Sequence, residues 1–143
     1  MCIRDRVTPE QLPEICQLDQ SVTRTDRRKL ITRLHGERPE IMRQVRRDGR
    51  LVGFATARPG ARAWLLGPCL ADASAGPQLF AYLFHRFAGQ PVFLDIPLDN
   101  RPAAAFAESM GLKVQRHLLR MGRGPRIQER VEALWSGSGP EKG

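Results

Sequence analysis

The sequence has few cysteines and no long apolar run, and each shortage excludes a class of protein. The three cysteines, Cys2, Cys16 and Cys69, are widely separated and show no paired spacing. The sequence therefore indicates neither a disulfide framework nor a zinc site, and we expect no bound metal. No apolar run approaches the roughly 20 residues of a membrane-spanning helix, and the N-terminus has no recognisable signal peptide. These features favour a cytoplasmic protein without a membrane partner.

Lysine is also scarce, so arginine carries nearly all of the positive charge. The net charge is +8 at pH 7, and its simplest interpretation is a solvated surface. An anionic ligand or nucleic acid would also fit this charge. Nucleic acid is the weaker alternative, because the sequence has no aromatic and basic platform and no recognition motif. With 143 residues, the chain is long enough for one domain of ordinary size.

The two ends of the chain differ from its body. Residues 1–6 read MCIRDR, which resembles translated sequencing-adapter sequence, and we treat them as a non-native leader. A first strand would have to come from these residues, so the sequence leaves open whether that strand is present and whether an upstream domain is missing. We expect a single domain over residues 7–135 and a disordered tail over residues 136–143.

Periodicity and turn residues predict a mixed α/β chain rather than a doubly wound one. The Asp48-Gly49 dipeptide predicts a two-residue hairpin turn, and Gly67-Pro68 predicts the end of a strand because proline cannot donate to a continuing ladder. Asn100 is placed to cap a helix. The predicted strands cover residues 41–47, 51–57, 63–66, 92–96 and 113–121. The first predicted helix begins after Thr8. Further predicted helices cover residues 26–35, 77–87, 101–110 and a short terminal segment over 127–135.

The stretch from Trp64 to Phe87 is the centre of this prediction. A short apolar strand is followed by a tight connection and by an amphipathic helix, whose apolar face should pack against a sheet. A strand that runs into a helix N-terminus leaves free backbone N–H groups and the positive end of a helix dipole at the connection. We therefore expect an anionic phosphate to bind there.

The same stretch resembles the GNAT superfamily of N-acetyltransferases, and the resemblance covers about residues 41–121. The family's central pattern runs from apolar strand residues through a proline and then (R/Q)-x-x-G-x-(G/A) into a helix. Leu65, Leu66 and Pro68 match the end of the strand, and Gly76 matches the last small residue. The resemblance implies a mostly antiparallel central sheet flanked by helices, with acetyl-CoA as cosubstrate.

Some positions depart from this pattern. Ala71 stands where the family prefers Arg or Gln, Ser74 stands where it prefers glycine, and Asp72 adds a negative charge close to the expected phosphate. The resemblance still assigns the cofactor to this segment and to the start of the next helix. The residues that it implies for cofactor binding are Leu65, Leu66, Ala71, Ser74, Ala75, Gly76 and Asn100.

A second match follows in the segment that begins at Asn100. The family often carries N-x-x-A-x-x-(apolar)-Y-x-x-x-G-F here, and Ala103 and Gly111 agree with it. Ala107 replaces the tyrosine that protonates the departing CoA thiolate in many members. Taken together, the motifs resemble an atypical GNAT domain that forms the C-terminal half of some tandem bacterial proteins, so an upstream GNAT domain is a candidate partner.

The resemblance implies that an amine attacks the acetyl-CoA thioester directly. The acceptor would be a small-molecule amine or a protein amino group, and the backbone of Leu66 would polarise the carbonyl. Asp95, which lies in an apolar strand, is the first candidate to bind the amine or remove its proton, and His117 is the second. Asp95 could instead face solvent or pair with an arginine, and His117 could be an ordinary surface or core residue.

A different class of function also fits the sequence. The domain could be a non-catalytic member that binds a ligand or a partner domain. Ala71, Ser74 and Ala107 support this alternative, because each stands where the family usually has a functional residue.

Overall fold

The computed structural model describes residues 2–139 and contains six strands and four α-helices in that range. Short 3-10 turns precede the first helix at Pro9–Gln11 and the last strand at Val131–Ala133. None of the helices in residues 2–139 combines the length and apolar character needed to cross a membrane. In chain order the elements are β1 (Cys2–Arg6), α1 (Leu12–Thr23), α2 (Arg28–Glu37), β2 (Arg43–Arg47), β3 (Arg50–Pro59), β4 (Trp64–Ala71), α3 (Ala75–Arg86), β5 (Val92–Phe93), α4 (Arg101–Ser109) and β6 (Leu134–Ser136).

The six strands form one sheet in the order β1-β2-β3-β4-β5, and β6 also pairs with β4. Only the pairing of β4 with β5 is parallel. β3 occupies one edge of β4, and β5 and β6 share the other edge at different positions along the strand. This arrangement confirms the predicted mixed α/β class with a mostly antiparallel sheet.

Helices cover both faces of the sheet. Phe54 of β3 and Leu70 of β4 pack with α1 and α2, whereas Ala55 and Cys69, the adjacent residues on the same strands, pack with α3. This follows from the strand period of two, which sends successive side chains to opposite faces. The central strands are therefore buried on both faces, and their sequences are almost continuously apolar.

The hairpin between β2 and β3 forms as the sequence predicts. Asp48 and Gly49 both have positive φ values, of 52° and 77°. A two-residue type I′ turn requires positive φ at both positions, and Asp-Gly is among the pairs that adopt it most readily. The local sequence thus sets the pairing of β2 with β3 next to the turn, where Arg47 lies opposite Arg50.

The first strand is present in this structure. Backbone atoms of Cys2–Arg6 pair antiparallel with β2, from Cys2 opposite Arg47 to Arg6 opposite Arg43. The sequence had left the existence of this strand open. The interpretation of residues 1–6 as a non-native leader stays a prediction.

The prediction that a strand ends at Gly67-Pro68 is wrong, because β4 continues to Ala71. Across from the pair, the register of β3 shifts between Ala55 and Ala57, so that two residues of β4 lie opposite Thr56. A bulge of this kind tolerates a proline, since the missing donor falls where the ladder is already interrupted.

The C-terminal predictions are also corrected. Only Val92–Phe93 forms a strand within the predicted 92–96, residues 113–121 form no strand, and the predicted terminal helix is replaced by a 3-10 turn followed by β6. The alternating pattern at 113–121 is not sufficient, because a strand also needs a neighbouring backbone to pair with. Ser136, which the sequence placed in the tail, belongs to β6, and residues 140–143 lie outside the described residues.

Candidate functional site

The connection between β4 and α3 holds an anionic side chain of the protein itself, the carboxylate of Asp72. Oδ1 of Asp72 accepts hydrogen bonds from the Ser74 N–H at 3.0 Å, the Ala75 N–H at 2.8 Å and the Ser74 hydroxyl at 2.9 Å. The Gly76 N–H donates to the Asp72 carbonyl at 3.0 Å, and Pro77 has no N–H. Every donor in the first turn of α3 is therefore already in use.

Arg47 completes this arrangement from the β2–β3 hairpin. Its Nη2 lies 2.8 Å from Oδ2 of Asp72, and the same nitrogen contacts the Ser74 hydroxyl. Burial alone would raise the pKa of Asp72, but the hydrogen bonds from Ala75 and Ser74 and the charge of Arg47 outweigh it and lower the pKa. Asp72 is thus held as a carboxylate at the N-terminus of α3.

The edge of β4 opposite β3 is divided between two short strands. β5 pairs with Trp64 and Leu65 at the start of β4, and β6 pairs with Cys69 and Leu70 near its end. Leu66 is buried and pairs with Ala57 of β3, but it has no register partner in β5 or β6. The position proposed to polarise the carbonyl therefore lies between the two partner strands.

The residues that follow β6, here called the C-terminal segment, cover the part of the β4 edge that lies between β5 and β6. A Cβ atom built on Gly67 would lie 2.1 Å from the carbonyl oxygen of Gly137. The Gly137 N–H in turn donates to the carbonyl of Asp95 at 2.8 Å. The C-terminal segment thus bridges β4 and the chain beyond β5.

Trp135 lies against the first turn of α3. A Cβ atom built on Gly76 would lie 2.0 Å from Cε2 of the Trp135 ring, so only glycine fits beneath the indole. The ring also meets Phe80 edge to face, with 5.2 Å between the ring centroids. Glycine at position 76 matches the family pattern, but here its space is filled by a side chain of the same protein.

The remaining residues predicted to bind cofactor are partly engaged elsewhere. Ala71 is buried, and a Cβ on Gly53 would lie only 2.8 Å from its Cβ. Asn100 caps α4 as predicted, since Oδ1 accepts from the Ala103 N–H at 3.2 Å, while Nδ2 donates to the Leu134 carbonyl at 2.8 Å. Asn100 therefore holds β6 in place in this conformation.

The two predicted catalytic side chains lie in different surroundings. Asp95 is partly buried, and burial raises the pKa of its carboxyl group, against the opposing charges of Arg116 and Arg58. His117 is exposed on the irregular segment after α4 instead of on a strand. The structure thus places Asp95 beside the C-terminal segment but leaves His117 on the surface. Their catalytic roles stay predictions.

Two further side chains of reactive types, Tyr82 and Cys69, have structural explanations. The Tyr82 hydroxyl donates to the Ile41 carbonyl at 2.8 Å and serves to join α3 to the start of β2. Complete burial raises the pKa of the Cys69 thiol, which makes it a poor nucleophile. Within residues 2–139, no group of three or more His, Cys, Asp or Glu side chains could hold a metal ion.

Two contributors to the site were missed from the sequence. Arg47 lies 25 positions from Asp72 in the chain, so no local motif connects them. Trp135 was assigned to the apolar face of a terminal helix, where nothing linked it to Gly76. A search for large apolar residues able to cover a helical glycine would have suggested such a contact, but not which residue provides it.

The observed conformation does not fit a bound acetyl-CoA. The first-turn donors that would hold its pyrophosphate are used by Asp72, and the C-terminal segment covers the edge of β4. The residues would fit the cofactor only if both Asp72 and this segment moved.

Comparisons with known proteins bear on the same region. The profile of a family described as "Acetyltransferase (GNAT) domain" matches residues 15–136. No curated protein sequence matches the chain. The family match includes β4, α3 and β6, and so extends over the whole candidate site.

Solved structures share the fold at low sequence identity. An acetyltransferase of the GNAT family from Bacillus cereus ATCC 10987 has a TM-score of 0.66 at 17% identity, covering 87% of this chain and 91% of that one. The ribosomal-protein-S18-alanine N-acetyltransferase from Escherichia coli has a TM-score of 0.59 at 20% identity, covering 78% and 77%. The AAC(6')-Iy complex with the bisubstrate analogue CoA-S-monomethyl-acetylneamine has a TM-score of 0.59 at 12% identity, covering 87% and 99%. With the profile match over most of its length and this shared fold, the chain belongs to the GNAT acetyltransferase family.

Proposed function

We propose that this protein is an acetyl-CoA-dependent N-acetyltransferase domain that binds its cosubstrate at the end of β4 and the N-terminus of α3. The observation that supports this most is the convergence of the Ser74 N–H, the Ala75 N–H and Arg47 on one carboxylate. A phosphate is recognised by the same donors, because both groups are anions with several acceptor oxygens. The turn is therefore chemically suited to an anionic ligand once Asp72 withdraws.

Asp95 is the residue that we propose to accept a proton from the amine. An amine must be neutral to attack a thioester, and an ordinary carboxylate is a weak base for this purpose. Burial raises the pKa of Asp95 and makes it a better acceptor. Its carbonyl lies at the C-terminal segment, beside the point where β5 leaves β4.

The acceptor class follows from the relatives only in outline. The structures with a similar fold include a ribosomal-protein-S18-alanine N-acetyltransferase and an aminoglycoside 6'-N-acetyltransferase. We therefore propose an amine acceptor, either a small molecule or a protein amino group. The cytoplasmic setting suggested by the cysteines is part of the same proposal.

A second function is favoured by a specific observation. All first-turn donors of α3 are already bonded within the chain, and Ala107 leaves no hydroxyl at the position of the usual tyrosine. A domain fixed in this conformation would not bind acetyl-CoA. It would act as a non-catalytic GNAT domain, with an upstream GNAT domain as its proposed partner.

Calorimetric titration separates these two functions. Acetyl-CoA would be titrated into the wild-type protein and into Asp72→Ala, with desulfo-CoA and ATP as comparison ligands. Removing the carboxylate frees the N–H groups of Ser74 and Ala75 and takes a negative charge out of the turn, and we expect acetyl-CoA affinity to rise about tenfold, which corresponds to about 1.4 kcal/mol. The matched control is Asp99→Ala, which removes an exposed carboxylate just before α4.

The outcomes are distinct. CoA-selective binding that tightens in Asp72→Ala and not in Asp99→Ala supports the acetyltransferase proposal and justifies a screen of amine acceptors. If neither the wild type nor Asp72→Ala binds acetyl-CoA while both show cooperative unfolding, the acetyltransferase proposal is wrong and the non-catalytic function is favoured.

A further inference from the structure

We propose that residues 134–138 form a displaceable C-terminal plug, and that its docking on β4 and the binding of an extended anionic ligand exclude each other. This inference rests on the proposed function for the identity of the ligand. It concerns the regulation of the site, since the chain itself would set the fraction of molecules that can bind.

The C-terminal plug occupies the backbone edge that an extended ligand would need. It pairs with β4 at Cys69 and Leu70, and its Gly137 carbonyl lies over Gly67. An extended ligand with amide groups binds a strand by the same backbone hydrogen bonds that β6 now makes. Both cannot use this edge at once.

The C-terminal plug also covers the turn where the anion is held. Trp135 is almost completely buried, and its ring leaves no room for any side chain at Gly76. A ligand that extended from the edge of β4 to the N-terminus of α3 would meet the indole. The C-terminal plug thus covers both the edge of β4 and the N-terminus of α3.

The docking of the C-terminal plug is incomplete. Among the described residues, the buried atoms Nε1 of Trp135, Oγ of Ser136 and Oγ1 of Thr56 have no hydrogen-bond partner. The β6 register also shifts between Cys69 and Leu70, so only two pairs form. Because a buried polar atom without a partner destabilises the state that buries it, the docked state is weakened at Trp135 and at Ser136.

Side-chain contacts hold the two ends of the C-terminal plug. Asn100 donates to the Leu134 carbonyl at 2.8 Å, and Arg58 donates to the Ser138 carbonyl through Nε at 3.3 Å and Nη2 at 3.2 Å. Arg27 donates to the Ser138 hydroxyl at 3.4 Å. These contacts can be released while the β3–β4 pairing stays intact, so the C-terminal plug can open without global unfolding.

Amide hydrogen exchange of the ligand-free protein tests the opening directly. We expect the amides of residues 134–138 to exchange at least about 100-fold faster than those of β3, because only local opening is needed. Exchange of both segments at the same slow rate would overturn the inference, whatever acetyl-CoA does.

A disulfide lock tests the exclusion. Cys69 and Ser136 are register partners and both are fully buried, so Ser136→Cys places two thiols across the β4–β6 pair. Oxidation with diamide would form one S–S bond and reduce one diamide, with both thiol protons transferred to it. Peptide mapping would confirm the cross-link, and Ser136→Ala treated in the same way is the control.

Desulfo-CoA is the probe, because it carries no thiol that could open the bond. We expect the reduced Ser136→Cys protein to bind it like the wild type and the oxidised protein to bind at least about tenfold more weakly, with recovery on reduction. Equal binding by both forms would overturn the inference and leave the proposed function standing. Absence of binding by every form, the wild type and Asp72→Ala included, would overturn the proposed function, and the exchange experiment would then decide alone whether the C-terminal plug opens.

Discussion

The β2–β4 meander and the C-terminal third of the domain are built in different ways. β3 and β4 extend over ten and eight residues and are joined to their neighbours by short turns. β5 has two residues and β6 has three, and both lie on the same edge of β4. The comparison shows that β3 and β4 pair over most of the length of β4, whereas β5 and β6 divide the other edge of β4 between them and form two register pairs each.

The stability of the two regions should differ accordingly. In the meander, β3 and β4 are buried on both faces, so losing one of their side chains weakens the whole core. In the C-terminal third, a substitution removes at most the contribution of a segment that opens locally.

The largest effect is expected for Phe54→Ala in β3. Phe54 is fully buried between the sheet and the pair of helices α1 and α2. Deleting a buried phenyl ring leaves a cavity, and we expect the free energy of unfolding to fall by about 3–5 kcal/mol in urea denaturation. Leu119→Ala in the irregular stretch after α4 is the control. Leu119 is 87% exposed, so its truncation should change the free energy of unfolding by less than about 0.5 kcal/mol. Equal losses would contradict the contrast.

A smaller effect is expected for Gly76→Ala. The new Cβ would lie 2.0 Å from the Trp135 ring, so the indole must move. Overpacking of this kind destabilises by about 1–3 kcal/mol, and tryptophan fluorescence should shift to the red as Trp135 becomes hydrated. Gly36→Ala in α2 is the matched control, because no atom lies within 4 Å of its built Cβ. It should stabilise the protein by about 0.5–1 kcal/mol, as helix propensity predicts.

Asp72→Ala should destabilise the protein by about 1 kcal/mol, since it removes a carboxylate that caps α3. The folded state lowers the pKa of Asp72, so its contribution is present above the unfolded pKa of about 3.9 and is lost as the pH falls through the folded value. Urea unfolding over an acidic pH series should therefore show a weaker loss of stability in Asp72→Ala than in the wild type. Parallel curves would argue against the cap.

The smallest effect is expected for Asp95→Asn, and its sign is opposite. Folding raises the pKa of Asp95, so wild-type stability should decrease as the pH rises from the unfolded pKa to the folded value. Removing the charge should stabilise the protein at neutral pH by a few tenths of a kcal/mol, because solvent screens much of the effect. The difference should vanish at low pH. A destabilised Asp95→Asn at neutral pH would instead indicate that the carboxylate has an unrecognised structural partner.

Local signals predicted their elements correctly. Asp48-Gly49 forms the two-residue turn and Asn100 caps α4. In each case the cause and the effect lie within a few residues of one another. Such positions can be predicted because backbone preference and hydrogen-bond reach are both short-ranged.

Predictions from local sequence were wrong where pairing with another strand decides the structure. Gly67-Pro68 was taken as a strand end, but the bulge opposite Thr56 lets β4 continue. The segment 113–121 has a strand pattern but no partner, and Leu118 and Leu119 are exposed. Neither outcome follows from the segment alone, since both depend on what the neighbouring strand offers.

In the candidate site, too, the local elements were predictable and the long-range contacts were not. The sequence identified the strand, the turn and the helix of the anion site, because apolar periodicity and small residues mark them. It did not identify Asp72 as the anion held in this turn. From the sequence, Asp72 is only an unfavourable charge near the expected phosphate, whereas the structure places Arg47 and two N–H groups around it.

The sequence alone is sufficient to predict helices α1 to α4, the β2–β3 hairpin and the family to which the chain belongs, since these depend on short-range preferences and on a motif read along the chain. The tertiary structure was needed to show that β6 shares an edge with β5, that Trp135 covers Gly76 and that Arg47 binds the carboxylate of Asp72. These features depend on which distant segments meet, and the contacts that decide it join residues tens of positions apart.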